Sequence, residues 1–264
     1  MPQRSKISKC SVSFIAAVII AAFAANASGA EMSAEEIVEK ALATNNLGFE
    51  KGSARVVVEM FNPKGEKTER VIKSLAKDDG SGKKIKITFL EPADVRDTTL
   101  LILEKSGEKE SRHFLYLPAY KKVRAIAGSE KYSSFMGSDF FYADLESKDI
   151  KKGKYEKIGF EKTGGRNCHK ILVIPEDREF YSKLELYIDA ENFLPLKALF
   201  YDKENKHVKT FAVKKVQKSG GSLIVVKSVM QNVQKKSETV ITIENFDLGA
   251  KVEDIEFNPE LLGK

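Results

Sequence analysis

The chain has 264 residues, 42% of them hydrophobic, with 44 Lys and Arg against 38 Asp and Glu and two cysteines. That length supports one sizeable core without requiring a second domain, and the cysteine count excludes a disulfide-stapled scaffold. The net charge of +6 is spread as lysine clusters interleaved with acids, at Lys121-Lys122-Val123-Arg124, Lys148 to Lys157, Lys214-Lys215 and Lys235-Lys236. These read as solvated strand faces and protected edges, with attraction to anionic headgroups as the alternative; a basic stripe for nucleic acid is missing.

Residues 1–30 read as a secretory signal that is cleaved. Arg4, Lys6 and Lys9 precede an apolar run from Val12 to Ala24, and Ala25-Asn26-Ala27 and Ser28-Gly29-Ala30 offer small-residue cleavage sites. The run is too short to cross about 30 Å of hydrocarbon. Cys10 precedes the run, so it is not the acylated first residue of a mature lipoprotein. Removal of the segment leaves 41 basic against 38 acidic residues and Cys168 alone, so no intramolecular disulfide can form. The expected product is residues 31–264 as a single soluble, monomeric domain in the periplasm.

Ser33-Ala34-Glu35-Glu36 has the form of a capping box, and Ile37, Val38, Ala41 and Leu42 follow at helical spacing before Asn45, Asn46 and Gly48. From there the period changes to that of strands. Runs rich in β-branched and aromatic residues predict strands at Ala54–Phe61, Thr68–Ala76, Lys83–Leu90, Thr98–Glu104, Arg112–Leu117, Lys154–Thr163, Asn167–Ile174, Lys183–Ile188, Leu196–Tyr201, Val208–Gln217, Leu223–Val233 and Glu238–Phe246. Turn signals such as Asn62-Pro63-Lys64-Gly65, Gly164-Gly165 and Ser219-Gly220-Gly221 separate them, which implies antiparallel neighbours. The fold class is therefore mainly β with a few α-helices.

Ile85, Ile87 and Phe89 alternate with Lys84, Lys86 and Thr88, giving one dry and one wet face. Leu100 to Leu103, His113 to Leu117, Ile171 to Ile174 and Leu223 to Val226 are apolar on both faces, so something must cover the second face. The candidate covers are Ser33–Asn45, a capped turn at Phe140–Glu146 and Asp177–Tyr181. Two architectures remain open on periodicity: a curved sheet around an apolar hollow, and a sheet folded into a packed sandwich.

No residues assemble into a recognisable enzyme or metal motif. His113, His169 and His207 lie on separate expected strands, without H-E-x-x-H, paired cysteines or EF-hand spacing. Adjacent residues of a strand point to opposite faces, so Cys168 and His169 cannot act as nucleophile and base. Gly137-Ser138-Asp139 lacks the G-x-S-x-G elbow and reads as a helix start. The expectation is no catalytic residue, no metal and no cofactor.

The stretch YLPAYKKVRAIAGSEKYSSFMGSDFFYADL, from Tyr116 to Leu145, contains at Phe135–Tyr142 five large apolar or aromatic side chains in eight residues, too apolar for a surface loop. It resembles the pattern of the outer-membrane lipoprotein-sorting family, relatives of the periplasmic carrier LolA. The similarity extends over Ser33 to Leu262, including Asp94 to Leu101 and Tyr181 to Asp202. It implies an open half-barrel made of a single curved antiparallel sheet with a helical lid, enclosing acyl chains of lipoproteins or other lipids. The cavity walls are then expected from Phe89, Leu101, Leu103, Phe114, Tyr116, Tyr187, Leu199 and Tyr201. The lid is expected from Phe135, Met136, Gly137, Phe140, Phe141 and Leu145, and replacing Phe140 and Phe141 by serine is expected to weaken acyl binding. In LolA an arginine on a strand latches the lid; Arg96, Arg112 and Arg124 are the candidates here. The implied partners are an inner-membrane transporter as donor and an outer-membrane acceptor. An accessory or sensor domain for envelope lipids, and an envelope hydrolase, are the other readings.

Overall fold

A capping box opens the first element in the computed structural model, which describes residues 31–44 and 51–264 apart from 107, 109 and 147. Ser33 Oγ accepts from the Glu36 amide at 3.1 Å, and the Ser33 amide donates to Glu36 Oε2 at 2.7 Å. Helix α1 (Ala34–Ala43) follows and buries Ile37, Val38 and Ala41. The expected signal segment, residues 1–30, and the stop residues Asn45, Asn46 and Gly48 lie outside the described residues.

Thirteen strands follow: β1 (Lys51–Phe61), β2 (Lys67–Asp78), β3 (Gly82–Glu91), β4 (Thr99–Lys105), β5 (Arg112–Leu117), β6 (Lys122–Ile126), β7 (Gly153–Thr163), β8 (Arg166–Pro175), β9 (Tyr181–Asp189), β10 (Pro195–Asp202), β11 (His207–Ser219), β12 (Ser222–Asn232) and β13 (Ser237–Asp247). All twelve expected strands form. The additional one, β6, carries most of the basic cluster Lys121-Lys122-Val123-Arg124; only Ile126 of its five residues is buried, so it carries no apolar alternation. Asp177 to Phe180 forms no helix and leads straight into β9.

All thirteen strands among the described residues belong to one antiparallel sheet, in the order β6-β5-β4-β3-β2-β1-β13-β12-β11-β10-β9-β8-β7. The sheet is continuous from one edge to the other. Two meanders, β1 to β6 and β7 to β13, are joined where the first strand pairs with the last, from Ser53 opposite Asp247 to Phe61 opposite Glu238. The sheet edges are β6 and β7, which are consecutive in the chain, so residues 127–152 must pass from one edge to the other.

That passage reveals the curvature. Asp144 bonds Lys209 on β11, while Glu146, two residues on, bonds His113 on β5. These strands are seven places apart, about 34 Å on a flat sheet at about 4.8 Å per strand. Two residues span only about 7 Å, and strand side chains stand roughly perpendicular to the sheet, so Lys209 and His113 close little of the rest. The sheet is therefore rolled around the connecting segment, and the face carrying that segment is concave.

The concave face holds the main core, including Val56, Ile72, Ile87, Phe89, Leu100, Ile102, Leu115, Val226 and Ile243. A second cluster under α1 joins Ile37 and Val38 to Ile171, Leu184, Leu186 and Ile188. The C-terminal residues cover part of the opposite face: Val252, Phe257 and Leu262 pack on Leu101 and Leu103, with Phe114 and Tyr116 alongside. Strand lysines secure this tail, Lys84 to Asp254 at 2.7 Å and Lys86 to Glu256 at 2.8 Å. At its end Gly263 lies against the Tyr116 ring, where an added Cβ would come within 2.1 Å of it.

Candidate functional site

The connection between the two sheet edges is a strap whose tip is a tight turn. The Ser138 amide donates to Phe135 O at 3.0 Å and the Phe135 amide to Phe140 O at 2.7 Å. Met136 (φ 50°) and Gly137 (φ 84°) both have positive φ, the pattern of a type I′ turn. Glycine tolerates this; methionine pays a steric cost of about 1–2 kcal/mol. The expected helix over Phe140–Glu146 is not formed: a 3-10 turn spans Ala143–Leu145, and α2 (Lys148–Lys151) follows. Ser138 Oγ does accept from the Phe140 amide, at 3.3 Å, but Asp139 is drawn away to the sheet.

Aromatic side chains seat the strap in the hollow. Phe135 (8% exposed) and Phe140 (7%) belong to the main core together with Tyr142 (4%), and Met136 and Leu145 pack against it. Phe135 lies 5.9 Å from the ring of Phe89 and 5.4 Å from that of Tyr142, and Phe140 lies 6.4 Å from Phe211. Phe141 stacks on Tyr181 at 6.2 Å, next to the α1 cluster. Full burial of each large apolar side chain contributes about 1.5–3 kcal/mol.

Polar bonds from the sheet hold the strap at Met136, Asp139, Asp144 and Glu146. Arg70 of β2 donates through Nη1 to the Met136 carbonyl, with its guanidinium carbon 5.7 Å from the Phe89 ring. Burial lowers the Arg70 pKa, while the Asp94 charge acts to raise it. Ser237 and Thr239 of β13 donate to the Asp139 carboxylate, and Thr239 Oγ1 also accepts from the Asp139 amide at 2.9 Å. Lys209 of β11 and Tyr181 of β9 donate to the two oxygens of Asp144 at 2.8 and 2.9 Å. Glu146 meets His113 Nε2 at 3.2 Å and Lys131 Nζ at 3.3 Å, closing the base of the strap against β5.

The arginine that bonds the strap backbone is Arg70, not one of the three candidates named from sequence. Arg96 donates to Leu90 O at 3.1 Å, Arg124 pairs with Glu130, and Arg112 is exposed on β5. Nothing in the local sequence distinguishes Arg70, because its partner is 66 positions away. The same applies to Lys209, which is 1% exposed and reads as one lysine among many.

The eight expected wall residues divide between the two faces. Phe89 lies on the concave face against the strap. Leu101, Leu103, Phe114 and Tyr116 lie on the opposite face under the C-terminal tail. Tyr187 and Leu199 also lie on that side, in a cluster with Cys168, Leu194 and Leu196. Tyr201 joins them, its hydroxyl donating to Glu185 at 3.1 Å and its ring 4.4 Å from Lys183 Nζ. The concave-face residues of β4 and β5 are instead Leu100, Ile102 and Leu115. Both faces of these strands are apolar, so hydrophobicity did not reveal which parity faces the strap.

His113 is not arranged as a relay. His113 is buried, and the same Nε2 that faces Glu146 also faces Ser111 Oγ at 3.4 Å. A relay needs the carboxylate and the hydroxyl on different ring nitrogens, and Nδ1 of His113 has no hydrogen-bond partner. His207 bonds Lys209 O and Thr210 within its own strand, and the His169 ring packs edge-on against Phe160 at 5.3 Å.

A family model described as "uncharacterized protein" matches residues 81–264. The chain is similar, at 26% identity and a TM-score of 0.81, to an outer membrane lipoprotein-sorting protein domain from Vibrio parahaemolyticus, over 88% of this chain and 98% of that one. It is equally similar in sequence to a DUF1329 family protein from Desulfovibrio piger (26% identity, TM-score 0.79, 88% of this chain and 100% of that one). A LolA superfamily protein from Nitrosomonas europaea has the same fold at 17% identity and a TM-score of 0.67, over 86% and 98% of the two chains. No curated protein matches the sequence.

Proposed function

Since the chain belongs to the family matched over residues 81–264, and its fold is that of the outer-membrane lipoprotein-sorting and LolA superfamily domains, we propose that it is a periplasmic carrier. It takes up the acyl chains of a lipoprotein or another lipid and passes them from an inner-membrane donor to an outer-membrane acceptor. The observation that carries this reading is the strap: aromatic side chains occupy an apolar hollow, held there by polar bonds that can be exchanged for bonds to water.

The physical chemistry is that of displacement. Each methylene shielded from water is worth about 0.8 kcal/mol, so a chain of many methylenes can replace Phe135, Met136 and Phe140 against Phe89, Leu100, Ile102 and Leu115. The strap then stays attached at its ends and lies over the cargo. No bond to the cargo is made or broken.

The test uses residues 31–264 and an uncharged fluorescent monoacylglycerol. The wild type should bind it, and Arg70→Leu should bind about tenfold or more tightly, because loss of a charge-assisted hydrogen bond of about 1.5–3 kcal/mol frees the strap. Absence of acyl binding by both proteins, with the fold intact by circular dichroism, would overturn the carrier reading. Unchanged affinity in the variant would remove the latch role of Arg70.

A further inference from the structure

The strap presents negative charge to a hollow whose wall offers hydrogen-bond donors. Asp144 is held by Lys209 Nζ at 2.8 Å and the Tyr181 hydroxyl at 2.9 Å, and Asp139 by the hydroxyls of Ser237 and Thr239. Lys209 is 1% exposed, its ammonium 3.0 Å from the centroid of the Phe141 ring, another strap residue. Burial pushes the Lys209 pKa below the usual lysine value, while Asp144 acts to raise it. Asp139 and Lys235 are the other charges that act on it.

These donors share one end of the concave face. Lys209 pairs with Asn232 of β12, which in turn pairs with Ser237 of β13, so Lys209 and Ser237 are two strands apart, about 10 Å. Below them along the strands the wall is apolar, with Val226, Ile224 and Ile243. The hollow thus has a cationic, donor-rich band at one end and a greasy interior beyond it.

Lifting the strap removes Asp144 and Asp139 together with the aromatic plug. Lys209 would then be a desolvated charge without its counter-ion, a costly state unless another anion takes the place. A neutral acyl chain fills the space left by Phe140 but cannot replace the carboxylates.

We infer that the cargo is an acidic amphiphile, whose carboxylate or phosphate replaces Asp144 on Lys209 and Tyr181, and Asp139 on Ser237 and Thr239, while its acyl chain occupies the hollow. This rests on the carrier reading and adds the chemical class of the headgroup. The two carboxylates of the strap act as stand-ins for that headgroup in the closed protein, so discharge of the cargo and closure of the strap are one exchange.

Affinities of residues 31–264 for palmitate and methyl palmitate, and for dipalmitoyl phosphatidylglycerol and dipalmitoylglycerol, test this. The ratio within each pair is the readout, because any general loosening of the strap moves both members equally. The acid is expected to bind at least tenfold more tightly than its neutral counterpart in one pair or both. The carboxylate pair alone identifies a fatty acid, the phosphate pair alone a phospholipid headgroup. Lys209→Met should bring the ratio close to one. Asp144→Asn, which removes the competing carboxylate and leaves Lys209 in place, should raise it, and this variant decides the matter if the first fails to fold. Equal affinities in both pairs would overturn the inference and leave the carrier reading standing; binding of none of the four probes would overturn both.

Discussion

Asp189 shows how single residues are set by the folded chain. It is 1% exposed, and burial acts to raise its pKa, but the amides of Glu191 and Asn192 and the guanidinium of Arg166 at 2.8 Å hold it below the usual carboxylate range. An unfolded aspartate titrates near 3.9, so as the pH falls the unfolded chain takes up this proton first. The contribution to stability is complete above about pH 4 and is lost as the pH falls through the folded value. Asp189→Asn should therefore lower the melting temperature at pH 7, with the gap to wild type narrowing by pH 2.5; a gap independent of pH would assign the effect to packing instead. The amides that bond Asp189 are only two and three residues away, at Glu191 and Asn192. Arg70, Lys209 and Asp144 were not legible, since the partners that define them are 66 and 65 positions away.

Among the elements, α1 and the strap contrast for the same reason. The helix is read correctly because its cap, apolar stripe and acidic first turn all lie within a few residues. The strap carries an equally good local cap signal at Ser138-Asp139, yet Asp139 binds Thr239, 100 positions away, and the helix does not form. Local competition between a cap and a tertiary partner is decided by the partner when both ends are buried. Because Phe140 itself fills the hollow, the direction of its expected effect on binding reverses: Phe140→Ala should empty part of the hollow and raise the affinity for the uncharged monoacylglycerol at least tenfold. Truncating a buried phenylalanine costs about 3–5 kcal/mol, and a share of that falls on strap docking. Weaker binding by a folded variant would mean that the strap ring contacts cargo in the loaded state.

For the molecule as a whole, closure of the sheet's middle and coverage of its outer face both depend on the C-terminus. β13 joins the two meanders through β1, and the residues after Asp247 cover Leu101, Leu103, Phe114 and Tyr116. Ending the chain after Asp247 keeps every strand but uncovers that cluster and frees Lys84 and Lys86 from Asp254 and Glu256. The truncated protein should unfold at a clearly lower urea concentration and self-associate, because Val252, Phe257 and Leu262 each contribute about 1.5–3 kcal/mol when fully buried and their loss leaves a contiguous apolar patch. An unchanged urea midpoint and a monomeric elution profile would show the tail to be dispensable.

By itself the sequence determined the capped first helix, twelve of the thirteen strands and their antiparallel hairpins, all of which follow from patterns a few residues long. It also marked the segment from Phe135 to Leu145 as too apolar for solvent. Only the tertiary structure decided that β1 pairs with β13, that β6 is a strand, and which parity of β4 and β5 faces the strap. Pairing between chain ends leaves no local trace, an exposed edge strand has no alternation, and a strand apolar on both faces has nothing in its own residues to say which side is inside. Arg70 and Lys209 acquired their roles in the same way, since a buried cation is recognisable only from the group that neutralises it.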